Sequence, residues 1–511
     1  MYNCVLFTDF TDTTMVQKTL GAYKCANELR NHGYTCLVVD HFHSWQINEI
    51  VELLQQVVSS DTYMVGFSTS FFQNSNVEPD SNGALHYLPL DINTSFCPQG
   101  PNFENVIVQK IKSINANCQI VVGGTKTQRE LKNRNIDYAV IGHAEISIIN
   151  LLDHLKNNTS LANSYKNIWG ITVLQDPEAK KYNFANGHMV WQDYDVVNAK
   201  VLPLESARGC IFNCRFCGYP MRGKKNLDYV RNGDSIYREL QENYDRWGIT
   251  TYSLMDDTFN DNDEKLDLIL SAVSRLTFQP KFWSYSRLDL LSLKPDRLGK
   301  MLDIGIRAMF LGIETLNDRT GKIIGKGYSR QKQIDTIEQI RRQYNNQIML
   351  HGSFIIGLPE ETKEDIHKTF DALMDETIPL HSFRFQPLRI FRNTMAWPSD
   401  FDINYQNYGY EDQNPDFPLE LDWKNKYMTR NESVVLAKKF HVVAEQANRY
   451  YIPNQTAWAL LNYGYNIDYL SNTKNNQLDW FDISSRKQQH IQDYKQQLLI
   501  MLTKENNEKV V

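Results

Sequence analysis

Cys210, Cys214 and Cys217 fall within eight residues, in the run Glu205-Ser-Ala-Arg-Gly-Cys-Ile-Phe-Asn-Cys-Arg-Phe-Cys-Gly218. Thiolates are the usual protein ligands of iron–sulfur clusters. With only three supplied together, a cube of four irons keeps one iron without a protein ligand. An open coordination position marks a reactive metal site, as it does in catalytic zinc proteins. Two plainer readings stand beside this one. A structural zinc wants four ligands, and since no cysteine follows Cys217, His351 or His381 would have to complete the set. The trio would otherwise be buried free thiols.

Further candidates sit where strand patterns end. They are Met255-Asp-Asp-Thr-Phe259, Ser284-Tyr-Ser-Arg-Leu-Asp289, Gly312-Ile-Glu-Thr315 and Gly352-Ser-Phe-Ile-Ile-Gly-Leu-Pro-Glu360. Each follows one of six strand signals: Leu202 to Ala207, Thr251 to Met255, Phe282 to Ser286, Ala308 to Ile313, Met349 to Ile356 and Phe383 to Ile390. Amphipathic helices lie between them, among them Asn262 to Leu276 and Arg330 to Tyr344. Residues 1–150 show a separate strand–helix alternation. Strands are expected at Val5 to Thr8, Thr35 to Asp40, Tyr63 to Ser68, Gln119 to Gly124 and Tyr138 to Gly142, which argues for a doubly wound parallel sheet. Glycine pairs after such strands let a ligand approach the backbone. The same pairs also serve simple tight turns.

The cysteine spacing and the order of the strand-end segments resemble the radical S-adenosylmethionine (radical SAM) superfamily. The runs Gly66-Phe-Ser68, Val121-Val-Gly-Gly124 and Ile141-Gly-His-Ala-Glu145 resemble the cobalamin-binding domain that precedes the barrel in one branch of it. The resemblance spans roughly residues 1–395. It implies an α/β chain: a cobalamin-binding-like sheet over 1–160, a linker over 161–200, an open (β/α)6 barrel over 201–395, and a mixed, mainly helical region over 396–511 that caps the barrel. It implies a 4Fe–4S cluster on the cysteine trio and SAM on the free iron. Carried over residue by residue, Phe216 lies against the adenine, Asp256 or Asp257 receives the amino group, and Ser286, Arg287 and Glu314 reach the carboxylate or ribose. Ser68, Ser70, Gly123 and Gly124 fall near the cobalamin tail. One departure stands out: the Asp-x-His-x-x-Gly signature of methionine-synthase-like domains is replaced by Asp9-Phe-Thr-Asp-Thr-Thr14, so no histidine there serves cobalt. His41 and His43 are expected to line a loop.

Asp256 and Asp257 have a structural alternative as caps of the helix near Asn262, and Arg287 and Glu314 as a pair inside the barrel. Residues 73–101 read as a long loop, and Trp169 to Leu174 and His188 to Trp191 as linker strands. After the barrel, Tyr405, Tyr408, Tyr410 and Trp423 either line a substrate cavity or pack an accessory core. Helices are expected near Glu432 to Tyr450, Gln455 to Leu461 and Ser485 to Lys509. No role follows from Asp422-Trp-Lys-Asn-Lys-Tyr-Met-Thr429.

With 511 residues the chain is too long for one core, and two or three domains are expected. Its 42% hydrophobic and 22% charged residues describe a globular protein, and a net charge of −6 argues against large nucleic-acid substrates. No stretch has the length of a membrane span or the make-up of a signal peptide. Cys4, Cys25, Cys36, Cys97 and Cys118 read as core thiols in a reducing cytoplasm. The resemblance implies reductive cleavage of SAM to a 5′-deoxyadenosyl radical, with methyl transfer from cobalamin to an unactivated carbon favoured. Rearrangement or cyclisation, and a non-catalytic iron–sulfur or zinc scaffold, are the alternatives. Its expected partners are a small-molecule or peptide substrate and a reductant such as flavodoxin or ferredoxin.

Overall fold

The computed structural model describes residues 2–10, 16–68, 75–79, 85–89, 103–124, 135–175, 182–219, 221–344, 347–392, 398–415, 420–447, 449, 454–474 and 477–508. Short apolar strands build a first sheet from β1 (Cys4–Phe7), β2 (Cys36–Val39) and β3 (Met64–Ser68). Within residues 73–101, expected as a long loop, two strands stand instead: β4 (Ser75–Pro79) and β5 (Leu85–Pro89) form an antiparallel hairpin. The first sheet continues with β6 (Gln119–Gly123), β7 (Tyr138–Ile141), β8 (Ser164–Lys166) and β9 (Thr172–Gln175), in the order β2-β1-β3-β6-β7-β9-β8. All its pairings are parallel except β8 with β9. Apart from the exposed edge strand β8, the strands are largely buried on both faces, which is why they read as apolar runs rather than alternating ones.

The second sheet holds β10 (Val201–Leu204), β11 (Thr251–Leu254), β12 (Lys281–Ser286), β13 (Ile306–Glu314), β14 (Met349–Ile356) and β15 (Ser382–Pro387) in sequential order. All six are parallel. This is the open six-stranded barrel expected. Side chains such as Phe282, Met309 and Leu350 pack with the surrounding helices, whereas Trp283, Phe310 and Met349 face the lumen. Helix starts obey local rules: Asn262 accepts from Glu264 N and Lys265 N, and Thr362 caps the helix Lys363–Met374.

Three elements differ from expectation. His188 to Trp191 forms no strand. Asn27 satisfies that backbone instead, donating from Nδ2 to His188 O and accepting from Val190 N, while Trp191 packs 4.9 Å from Tyr23. The carboxyl-terminal region does not simply cap the barrel mouth. The helix Asn454–Leu460 fills the lumen near the strands' amino-terminal halves, with Trp458 Nε1 donating to Tyr252 O and Trp283 Nε1 to Asn454 Oδ1. The helix Trp480–Glu508 then returns to the first sheet, where Tyr494, Leu498 and Leu502 pack with Ile50, Leu53 and Val57. The helix Arg430–Gln446 covers β15, the open edge of the barrel, with Phe440 stacked 4.0 Å from Phe370. The two strands left, β16 (Glu411–Asp412) and β17 (Trp423–Lys424), make a small hairpin. No helix among the described residues is long and apolar enough to cross a membrane.

Candidate active site

The cysteine loop leaves β10 and is held along its length by backbone hydrogen bonds. Cys210 N donates to Met221 O, Lys224 N to Cys210 O, Gly223 N to Phe212 O, and Arg215 N to Ile324 O. Gly209 has φ +120°, and a Cβ there would lie 2.6 Å from Met221 O, so the turn into the trio needs glycine. Cys210 and Cys214 are buried and Cys217 half-buried. Phe212 N is aimed at Cys210 Sγ, 3.5 Å, and Arg287 Nη1 at Cys214 Sγ, 3.0 Å. Burial pushes the Cys210 thiol up, and that of Cys217 to about 11. Charge-assisted donors to sulfur suit thiolates that carry iron.

The zinc arrangement is not formed. Among the described residues, no three His, Cys, Asp or Glu side chains converge where one metal ion would sit. His351 Nδ1 pairs with Ser382 Oγ, 2.7 Å, and His381 Nδ1 accepts from Leu350 N, 3.0 Å.

Behind the loop lies a buried charge knot. Asp256 accepts from Ser206 N, Ser206 Oγ and Ala207 N at 2.8, 2.5 and 2.9 Å. Lys265 Nζ lies 2.7 Å from Asp261 and 3.6 Å from Asp256, and Tyr229 OH donates to Asp261. Asp256 therefore neither caps the helix near Asn262 nor offers a free carboxylate; it anchors the start of the cysteine loop. Asp257 is half-buried, and burial, then neighbouring Asp256 and Glu205, push its carboxyl up to about 7. Arg287 and Glu314 do not pair with each other. Arg287 clamps Asp289 through Nε and Nη2 (3.0 and 2.6 Å) and lies 3.9 Å from the Phe212 ring centroid. Glu314 folds back over Gly312, 3.5 Å from Lys326 Nζ, with a left-handed φ of +67°. A strained non-glycine backbone at a strand's carboxyl end is the kind of feature active sites retain. Ser286 bonds Ser284 at 3.1 Å, on the strand face shared with Phe282 rather than the lumen face. Phe216 is partly buried against the main core.

A cavity of about 630 Å³ opens between the two sheets. The first sheet contributes Gly66, Ser68, Gly123, Gly124 and Gly142, and the barrel contributes Glu205, Arg208, Gly218, Tyr219 and Met255. Gly124 and Gly142 have φ of +106° and +101°. Of the residues expected near a cobalamin tail, Ser68, Gly123 and Gly124 line this cavity, while Ser70 lies outside the described residues, as does Cys97. Asp9 does not line it; that carboxylate accepts from His43 N, 2.6 Å, and Nδ1, 2.9 Å. His41 packs 4.8 Å from Tyr494, away from the cavity. His143, in the run read for its glycine, does line it, and burial, then Arg208, pulls its pKa down.

The sequence reading missed the network across this joint. Arg208 donates to Glu145 at 2.6 Å and to Glu205 at 2.9 Å, and Lys24 pairs with Glu205. Burial alone would raise the Glu205 carboxyl, but Arg208 and Lys24 hold it below the usual range. The adjacency of Arg208 to Gly209 and Cys210 was the available signal. The aromatic residues after the barrel pack a core instead of lining the cavity. Trp423 Nε1 donates to Leu388 O, and Tyr410 OH and Asn425 Nδ2 both donate to Gly357 O. The Trp-to-Thr segment thereby clasps the turn after β14, and Thr429 caps the next helix.

A family model described as the radical SAM superfamily matches residues 204–373. A protein of Pyrococcus horikoshii named an uncharacterized methyltransferase is 28% identical over 295 residues, covering 52% of this chain and 60% of the relative. The bacteriochlorophyllide d C-12(1)-methyltransferase of Chlorobaculum tepidum is 23% identical over 213 residues, covering 41% and 42%. The matches thus span less than two thirds of either relative. Among solved structures, TsrM of Kitasatospora setae, a radical SAM methyltransferase with cobalamin and a 4Fe–4S cluster bound, aligns with a TM-score of 0.62 at 15% identity. That alignment covers 96% of this chain and 99% of TsrM. OxsB, a cobalamin-dependent radical enzyme, aligns with a TM-score of 0.63 at 14% identity, covering 100% and 81%. At such identities the likeness is one of fold. The matched segment runs from the end of β10 into the helix after β14 and contains all three cysteines, so the barrel of this chain is a radical SAM domain.

Proposed function

We propose that this protein is a radical SAM enzyme that transfers a methyl group from a corrin to an unactivated carbon. One observation carries the reading: the residues that open and close the cysteine loop, Glu205, Arg208, Gly218 and Tyr219, are also a wall of the glycine-lined cavity. A planar ligand lying on the glycines of the first sheet would sit directly across from the loop. When bound, the cluster on Cys210, Cys214 and Cys217 supplies one electron to SAM, and cobalamin supplies the methyl group.

Arg287 holds Cys214 in place and keeps a positive charge beside its sulfur. Asp257 and Glu314 are the acidic groups available to the SAM ammonium and ribose, and Phe216 is the ring available to the adenine. Asp257, with a carboxyl near neutrality, can hold or release a proton at its Oδ atoms in the working pH range. Arg208 and Lys24, tied to Glu145 and Glu205, fix the distance between the two sheets and exclude water from the joint. A reducing cytoplasm and a flavodoxin or ferredoxin would meet the electron demand.

The test is anaerobic reconstitution. About four irons with matching sulfide per chain, 5′-deoxyadenosine or S-adenosylhomocysteine from SAM, and corrin absorption retained through gel filtration are expected. A chain that holds iron but releases all corrin would exclude methyl transfer by this route.

A further inference from the structure

We propose that Thr258, set in place by the buried Lys265, donates a hydrogen bond to the sulfur of Cys210 and so raises the reduction potential of the cluster held there. The inference deepens the proposed function and rests on its reading of the cysteine trio as cluster ligands. Thr258 follows the carboxyl end of β11, and its hydroxyl lies 3.5 Å from Cys210 Sγ in a buried contact. While Cys210 is a thiol, its S–H donates and the Thr258 hydroxyl keeps its own donation to Asp257 O, 2.8 Å. A sulfur that carries iron has lost that proton. The contact then survives only with its polarity reversed, the threonine O–H donating to sulfur.

Lys265 is the reason the hydroxyl stands where it does. It lies in the first turn of the helix Asp263–Val273, where a cation opposes the helix dipole, and its side chain is fully buried. A lysine is seldom buried to that degree unless it is paired. Its Nζ donates to Thr258 O, 2.7 Å, pairs with Asp261 at 2.7 Å and lies 3.6 Å from Asp256. Those carboxylates hold the backbone on either side of Cys210. Asp256 accepts from Ser206 N and Ala207 N, and Asp261 from Ile211 N at 3.4 Å. One ammonium thus ties the threonine and both flanks of its cysteine to a single point. Lys265 is a positioning residue.

The electrostatic consequence has a definite sign. A reduced cluster carries one more negative charge than an oxidised one, so a donor to sulfur stabilises the reduced form more and raises the potential. Phe212 N on the same sulfur and Arg287 Nη1 on Cys214 act in the same direction. Thr258 differs from both in that its donor can be removed without touching backbone or charge.

The test is a potentiometric titration of the reconstituted full chain, with dithionite as the electron source and the reduced cluster counted by electron paramagnetic resonance. Iron content and thermal midpoint are measured on the same samples. Thr258→Val keeps the branched shape and removes the hydroxyl. At a fixed solution potential its reduced-to-oxidised ratio should fall about tenfold, a midpoint about 59 mV lower for one electron. Thr258→Ser should return the midpoint close to that of the wild type. In a Lys265→Met background, Thr258→Val should add no further shift, because the hydroxyl is no longer held. An unmoved midpoint in Thr258→Val, a serine variant shifted as far as the valine one, or loss of iron from Thr258→Val overturns the proposal. Additive shifts of the two substitutions overturn the part given to Lys265, and the valine–serine comparison decides the donor even where Lys265→Met does not fold. A wild-type chain that takes no four-iron cluster removes the proposed function and this inference together. A wild-type cluster whose midpoint ignores Thr258→Val removes this inference alone.

Discussion

Replacing Cys214 by alanine removes a proposed cluster ligand and, with it, the acceptor of Arg287 Nη1. Iron should fall well below four per chain and SAM cleavage to background, while the far-ultraviolet circular dichroism stays native; retained cleavage would remove the trio from the chemistry. Glu361 makes a different prediction. It is buried, accepts among the described residues only from Thr315, and burial pushes its carboxyl up to about 8. Between pH about 4.5 and about 8 the folded chain keeps a proton that the unfolded chain gives up. Stability should therefore decline as pH rises through that window and level off above it, by at most about 5 kcal/mol. Glu361→Gln should flatten the dependence of the urea midpoint on pH, and an unchanged slope would show that Glu361 does not titrate there. The cysteine trio was visible in the sequence because its three thiols belong to one short loop. The role of Asp256 was not legible, because only the fold brings Ser206 and Ala207 onto its carboxylate, nor was that of Arg287, whose partner proved to be Asp289 rather than Glu314.

At the scale of elements, the turn after β14 shows how tightly the barrel is dressed. Gly357 has φ +100°, and a Cβ there would fall 2.3 Å from the Trp423 ring. Gly357→Ala should lower stability by about 1–3 kcal/mol, read as a shift in the urea midpoint, because neither the backbone nor the indole can yield cheaply. Trp458→Ala should cost more, roughly 3–5 kcal/mol, since the indole fills the lumen floor and its N–H satisfies Tyr252 O. A near-neutral result would mean that the helix Asn454–Leu460 is dispensable to the barrel. Element types and order were readable because strands buried on both faces and amphipathic helices leave different periods in the sequence. The strand expected at His188 to Trp191 was misread for a physical reason: its alternation reflects Trp191 packing on Tyr23, and a distant amide supplies the hydrogen bonds a neighbouring strand would have made.

Over the whole molecule, the carboxyl-terminal helix ties the two sheets into one body. Tyr494 OH accepts from Asp40 N, and Lys495 Nζ donates to Ser44 O, at the far side of the first sheet from the barrel's helices. The joint itself is where the proposed corrin would lie. A Cβ at Gly123 would meet only Val140 at 3.7 Å, so the position tolerates a side chain locally but would send a long one into the cavity. Gly123→Leu should keep the fold and the iron while losing most corrin absorption after gel filtration. Full retention of the corrin would place its site elsewhere.

By itself the sequence determined the two strand–helix series and a cysteine spacing that could bind iron while leaving one site vacant; the open barrel came from the family resemblance. The first two follow from short-range rules: periodicity sets element type, and ligand spacing is a property of one loop. Only the tertiary structure decided that the cysteine loop forms a wall of the inter-sheet cavity, that Arg208 bridges Glu145 and Glu205, and that the last helix returns to the first sheet. Those facts join residues tens to hundreds of positions apart. Their pairing is fixed by burial and by the need of each buried charge for a partner, which no local pattern encodes.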